Sequence, residues 1–124
     1  MQPCQRPAPL KPGDHLWVTL PSGPLRDPEP FHKGLQIWRD RGYQVDLSPN
    51  YQKQWTYLAG TDQERRTSLE QGLKADQYRA ILCGRGGYGG ARLLETWQWP
   101  TIPAKWLIGF SDITSLLWLS LIHS

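Results

Sequence analysis

The chain has 124 residues, of which 39% are hydrophobic and 20% charged, and its formal net charge is +3. This composition predicts a folded domain, and the scattered Lys and Arg residues form no basic run of the kind that binds nucleic acid. The two cysteines are far apart and lack metal-ligand spacing, so we expect free thiols, no metal and a reducing compartment. We predict no signal peptide and no membrane span, which makes the cytoplasm the default location.

Strands and helices are predicted to alternate along the chain. Residues 1–13 form a proline-rich arm, and residues 14–124 form one domain. Thr61 and Glu64 have the spacing of a capping box, in which each side chain bonds the other residue's backbone N–H. The predicted elements are strand 15–20, helix 28–41, strand 43–47, helix 61–76, strand 78–83, helix 91–97, strand 106–110 and helix 112–122. This order predicts a three-layer, doubly wound and mainly parallel α/β sheet, whose functional sites lie at the carboxyl ends of its strands.

A glycine loop follows the third predicted strand. Gly84, Gly86 and Gly89 satisfy the pattern G-x-G-x-x-G, which in isolation indicates a dinucleotide site. The loop follows the third strand rather than the first, and the next strand does not end in a clean acidic residue. A tight turn of purely structural origin is a second interpretation. The third, which we favour, is a loop of backbone amides beside a catalytic serine.

Ser111 stands where the fourth predicted strand breaks into the last helix. A hydroxyl at such a junction projects from the carboxyl edge of a sheet, beside the free N–H groups of the helix start. It can act as a nucleophile with amide donors ready for an oxyanion. A partner base is harder to find, because His123 is too far along the same helix and His15 starts a strand at the opposite edge. His32 is the only candidate by topology, and a surface histidine is its ordinary interpretation.

Several motifs in register resemble the LD-carboxypeptidases (muramoyltetrapeptide carboxypeptidases), a family that includes the microcin C self-immunity peptidases. The resemblance runs from about residue 12 to residue 121 and rests on residues 11–14, 21–24, 57–65, 85–94 and 103–114. It implies an N-terminal α/β domain related to class I glutamine amidotransferases, which are flavodoxin-like. It also implies a C-terminal domain, which we expect to be absent from this chain.

The resemblance further implies a cofactor-free serine peptidase with a Ser-Glu-His triad, whose Glu and His come from the C-terminal domain. The family's nucleophile maps onto Ser111 and its oxyanion-binding amides onto Gly87 and Asp112. The complete enzyme would release the terminal D-alanine of murein tetrapeptides through an acyl-enzyme, in peptidoglycan recycling. We therefore expect the isolated chain to be inactive unless a companion fragment supplies the missing groups.

Three flanking side chains have open roles at this stage. Arg85 could bind a substrate carboxylate or brace its own loop, and Tyr88 could wall the site or pack within the loop. The side chain of Asp112 is expected to complement the positive end of the last helix.

The last predicted helix is apolar nearly all round, so part of it should be exposed without its partner domain. We expect a homo-oligomer or a co-assembled second fragment. Other functions remain open: a peptidase that clears a peptide–nucleotide antibiotic, a non-catalytic fragment that binds a partner or a murein peptide, and a nucleotide-binding α/β module.

Overall fold

One sheet contains four parallel strands: β1 His15–Thr19, β2 Gln44–Leu47, β3 Tyr78–Cys83 and β4 Trp106–Ile108. Their order across the sheet is β2-β1-β3-β4. The computed structural model of the protein describes residues 5–49 and 51–123, the last two by their backbone only. Leu16 of the central β1 pairs with Val45 of β2 on one side and with Ala80 of β3 on the other. The α-helices are α1 Pro28–Asp40, α2 Asp62–Lys74 and α3 Thr114–His123.

Helices cover both faces of the sheet, because alternate side chains of each strand point to opposite faces. On β1, Leu16 and Val18 pack in the cluster that contains Leu35 of α1. Trp17 instead packs in the cluster that contains α2 and α3. These three layers confirm the predicted doubly wound α/β fold. The strand order is that of flavodoxin-like sheets, whose ligands bind beside the central strands at their carboxyl ends.

Close packing of α2 on β1 depends on a residue without a side chain. The Trp17 indole lies directly over Gly72, and a Cβ at that position would overlap the ring. The indole Nε1 donates to the carbonyl oxygen of Ser68 at 2.9 Å, and its ring lies 5.1 Å from the Tyr78 ring, centroid to centroid. The tryptophan therefore fixes the position of α2 over the sheet.

The N-terminal end of α2 has the predicted capping box. Thr61 Oγ1 accepts from the backbone N–H of Glu64, and Glu64 Oε1 accepts from that of Thr61, both at 3.1 Å. The helix ends at Lys74, two residues earlier than predicted.

The segment after the glycine loop differs from its prediction. Residues 91–97 were expected to be a helix, but only Ala91–Leu94 forms a short 3-10 turn. The threonine and tryptophans that follow are weaker helix formers, and Pro100 prevents continuation. β4 is also shorter than predicted, because the chain leaves the sheet after Ile108 to reach Ser111.

Outside these elements, the described part of the arm contacts the domain, since Trp106 Nε1 donates to the carbonyl oxygen of Ala8 at 2.9 Å. Cys83 is a free thiol, whereas Cys4 lies outside the described residues. None of the helices in residues 5–49 and 51–123 has the length and apolarity needed to cross a membrane.

Candidate active site

Loops that follow three strands meet at the carboxyl edge of the sheet. The loop after β1 contacts the glycine loop after β3 through the N–H of Gly23, which donates to the carbonyl oxygen of Gly86 at 2.8 Å. A Cβ at position 23 would lie 2.9 Å from the carbonyl oxygen of Gly86 and would also displace the Arg85 guanidinium, so this close approach of the two loops favours glycine. The loop after β4 carries Ser111 to the same edge, next to Gly86. Parallel neighbours β1, β3 and β4 thus bring distant segments of the chain into one cluster.

Ser111 has a left-handed backbone with φ +59°, although it has a side chain. The preceding Phe110 is extended, with φ −151° and ψ 175°, and Ser111 begins a 3-10 turn that leads into α3. A non-glycine residue in this conformation costs about 1–2 kcal/mol. This sharp strand-to-helix turn leaves Ser111 exposed to solvent, as in the nucleophile elbows of α/β-hydrolases.

Gly86 leaves the space into which Ser111 fits. A Cβ at Gly86 would lie 3.0 Å from the Cβ of Ser111, 3.3 Å from its Oγ and 3.3 Å from the carbonyl oxygen of Phe110. Contacts of 3.0 Å are tighter than nearly all those made by real side chains. Any larger residue at this position would therefore push the serine away from the glycine loop.

The backbone N–H groups of Gly87 and Asp112 are open. No acceptor for either N–H exists among the backbone and side-chain groups that the structure describes. Gly87 has φ +104°, a conformation that glycine adopts without strain. Open amides near a hydroxyl are chemically suited to bind a negatively charged oxygen.

The carboxylate of Asp112 links two loops to the start of the last helix. Its Oδ2 accepts from the Ser22 hydroxyl and from the backbone N–H of Gly90, both at 2.7 Å. The sequence predicted only that this side chain complements the positive helix end. Its first-turn position agrees with that role, and the structure adds two specific donors from loops far away in the chain.

Sequence reasoning missed Arg65, whose side chain is completely buried beneath the glycine loop. Its guanidinium donates to the carbonyl oxygens of Pro21 at 2.6 Å, Gly89 at 2.8 Å and Gly60 at 3.2 Å, and it pairs with Asp62. Burial lowers the pKa of Arg65 below its ordinary value, and the Asp62 carboxylate opposes that shift. The available signal was an arginine four residues before Leu69, on the face of α2 that is otherwise buried.

Arg85 and Tyr88, which flank the candidate site in the sequence, have different surroundings. Arg85 braces the loop, because its Nη1 donates to the carbonyl oxygen of Pro24 at 2.9 Å. Tyr88 is 57% exposed, and its ring lies 5.6 Å from that of Tyr57, which is equally open to solvent. The Tyr88 ring therefore packs beside Tyr57 and stays open to solvent, and its part in a substrate site stays a prediction.

Neither His15 nor His32, the candidate bases with described side chains, is hydrogen-bonded to the serine. His15 begins β1, at the amino edge of the sheet. His32 lies in α1 with its ring edge-on to that of Tyr51, at 6.2 Å between centroids. The side chain of His123 is outside the described set. Among the described side chains, none forms a hydrogen bond with Ser111 Oγ.

These features agree with the comparison with known protein families. The model for the LD-carboxypeptidase N-terminal domain matches residues 17–123. The chain belongs to the LD-carboxypeptidase family.

Individual relatives in the LD-carboxypeptidase family agree with this assignment. A protein of Synechocystis sp. named as a carboxypeptidase is 54% identical over 114 residues, which are 91% of this chain and 38% of that protein. The murein tetrapeptide carboxypeptidase of Pseudomonas aeruginosa is 37% identical over 79 residues, 61% of this chain and 26% of its own. Among solved structures, the microcin C7 self-immunity protein MccF has a TM-score of 0.79 at 25% identity, over 90% of this chain and 34% of its own. The chain thus spans well under half the length of these relatives.

Proposed function

We propose that this chain carries the nucleophile and the oxyanion-binding amides of a serine LD-carboxypeptidase that releases the terminal D-alanine from murein tetrapeptides. The observation that carries the proposal is the left-handed Ser111 at the β4–helix junction, next to Gly86, together with the open N–H groups of the adjoining residues Gly87 and Asp112. The P. aeruginosa relative, named for murein tetrapeptides, supports the substrate class. The reaction would occur in the cytoplasm, which suits the free Cys83 thiol.

The proposed chemistry proceeds through an acyl-enzyme. Ser111 Oγ attacks the carbonyl carbon of the terminal peptide bond and gives up its proton to a base. The carbonyl oxygen becomes an oxyanion, which accepts hydrogen bonds from the N–H groups of Gly87 and Asp112. The bond to D-alanine then breaks, and its nitrogen takes the proton. Water next attacks the ester on Ser111, which releases the shortened peptide and regenerates the hydroxyl.

The base must come from outside the described residues. A serine hydroxyl is a weak nucleophile without a base within hydrogen-bond reach. By the family resemblance, a His of a C-terminal domain serves as the base, and a Glu of the same domain orients it. We propose that residues 14–124 are the nucleophile-bearing domain and that this chain alone has negligible peptidase activity.

A chimera tests the proposal. The chain is joined to the segment of the Synechocystis relative that follows its matched part, and D-alanine release from a murein tetrapeptide is measured. We expect the chimera to release D-alanine, the isolated chain to release none, and Ser111→Ala to abolish activity in the chimera. Ser115→Ala is the matched control, because Ser115 is one turn further on and its hydroxyl only donates to the carbonyl oxygen of Asp112 at 3.2 Å.

Two results would contradict the proposal. If the Ser111→Ala chimera releases D-alanine as fast as the unmodified chimera, Ser111 is not the nucleophile. If a folded chimera cleaves a peptide–nucleotide conjugate but not the murein tetrapeptide, the substrate class is wrong.

A further inference from the structure

One peptide unit of the glycine loop is held from both sides by opposite charges. The carbonyl oxygen of Gly89 accepts from Arg65 Nη1 at 2.8 Å, and the N–H of Gly90 donates to Asp112 Oδ2 at 2.7 Å. These two groups belong to the same planar peptide, in which the carbonyl and the N–H point in opposite directions. Arginine and carboxylate therefore fix the orientation of that plane.

The same two charges also hold the loop after β1. Arg65 Nη1 donates to the carbonyl oxygen of Pro21 at 2.6 Å, and the Ser22 hydroxyl donates to Asp112 Oδ2 at 2.7 Å. Pro21 and Ser22, the two residues held on this loop, are adjacent in the chain. Arg65 and Asp112 thus form a clamp across two loops that lie at the carboxyl ends of neighbouring strands.

The glycine loop needs such a clamp, because glycine backbones have the most freedom to change conformation. Gly89 has φ +111°, and a Cβ there would lie 2.6 Å from Leu58 Cδ2 and 2.9 Å from Arg65 Nη1. A larger residue is thus excluded at the point where the clamp closes. The rigidity of the loop has to come from its partners, and hydrogen bonds to charged groups are the strongest available.

The Arg65 side chain is completely buried, so its guanidinium cannot bind anything at the protein surface. A buried cation is retained only where its donors are satisfied, and here three carbonyl oxygens and the Asp62 carboxylate satisfy them. Two of these carbonyls, those of Pro21 and Gly89, belong to loops of the candidate site, and the third, that of Gly60, belongs to the loop that leads into α2. This placement is more specific than general stabilisation of the core requires.

We propose that Arg65 and the carboxylate of Asp112 are positioning residues: by locking the Gly89–Gly90 peptide, they hold the N–H of Gly87 in place beside Ser111. The inference rests on the proposed function for its catalytic meaning. Its structural content, a charge clamp that orders the loop as far as Gly87, can be measured without substrate.

The experiment uses the chain labelled with ¹⁵N at its 12 glycines. Amide exchange of Gly90 and the chemical shift of Gly87 are compared in Arg65→Lys and Asp112→Asn, with global stability followed by urea unfolding. We expect Gly90 to exchange at least about tenfold faster and the Gly87 resonance to shift or broaden. Arg66→Lys is the matched control, because the neighbouring Arg66 bonds the carbonyl oxygens of Leu93 and Arg92 instead of the glycine loop. We expect it to leave both signals unchanged.

The outcomes separate the clamp from simple stabilisation. If Gly90 exchanges faster while the Gly87 resonance stays unchanged in folded variants, the positioning role is overturned. Unchanged exchange at Gly90 overturns the clamp itself. If Arg65→Lys does not fold, Asp112→Asn decides by the same two signals. Failure of the proposed function would instead appear as a folded chimera without peptidase activity, with both glycine signals as expected.

Discussion

Backbone strain at Ser111 predicts that glycine is more stabilising than alanine at this position, which is the reverse of the usual order. The residue has φ +59°, where a Cβ approaches the backbone too closely and glycine does not. Ser111→Gly should therefore be more stable than Ser111→Ala. Both variants lose the hydroxyl, and so the difference between them reports the backbone alone.

The magnitude follows from two opposing terms. The left-handed conformation costs alanine about 1–2 kcal/mol relative to glycine. Glycine loses about 0.4–1 kcal/mol more than alanine on folding, because its unfolded chain is freer. We expect the free energy of unfolding of Ser111→Gly to exceed that of Ser111→Ala by about 0.5–1 kcal/mol, or roughly 2–4 °C in Tm for a chain of this size.

Ser115 supplies the matched control. It lies within α3, where the backbone is right-handed helical, and its hydroxyl bonds only the carbonyl oxygen of Asp112. At such a position glycine is about 1 kcal/mol less stable than alanine. The Gly-minus-Ala difference should thus be positive at Ser111 and negative at Ser115, a separation of about 1.5–2 kcal/mol between the two positions.

Urea unfolding followed by tryptophan fluorescence measures all four variants, and equal m-values confirm that the same transition is compared. If glycine is less stable than alanine at both positions by similar amounts, Ser111 is not strained. The elbow geometry on which the proposed nucleophile depends would then be wrong.

Two further predictions concern the α2 cap and the free thiol. Thr61→Ala removes the capping box and should lower the free energy of unfolding by about 1 kcal/mol. Thr67→Ala, in the exposed middle of α2, should not lower it, because alanine is the better helix former; equal effects in urea unfolding would contradict the cap. Although Cys83 is only half-buried, desolvation of its sulfur raises the pKa of the thiol to about 12, so the thiolate that alkylating reagents attack is scarce below that pH in the folded state. In a Cys4→Ser background at about pH 8.5, near the ordinary thiol pKa, iodoacetamide should label native Cys83 much more slowly than the urea-unfolded chain, and equal rates would show that the thiol is accessible.

Local pattern was enough to predict most of the elements. Strand β3 begins and ends where predicted, and the capping box at Thr61 is formed as the spacing required. These features depend on interactions within a few residues, which a single sequence displays directly. The main error, the helix predicted over residues 91–97, falls where loop closure by glycines competes with weak helix propensity.

The candidate site was predicted only in part. The position of Ser111 could be predicted, because a strand that breaks into a helix leaves a recognisable sequence. Its left-handed backbone and its contact with Gly86 could not, since they depend on how two loops pack. Arg85 illustrates the same limit, because its bond to the carbonyl oxygen of Pro24 spans 61 positions in the chain.

What the sequence by itself determined is the alternation of strands and helices, and hence a parallel sheet with Ser111 and the glycine loop at one edge. Only the tertiary structure decided that a buried Arg65 and the carboxylate of Asp112 hold the same peptide. The Ser22–Asp112 bond joins residues 90 positions apart, and Arg65 reaches carbonyl oxygens on three separate loops. No local pattern encodes such partners, because they become neighbours only when strands distant in sequence pair side by side.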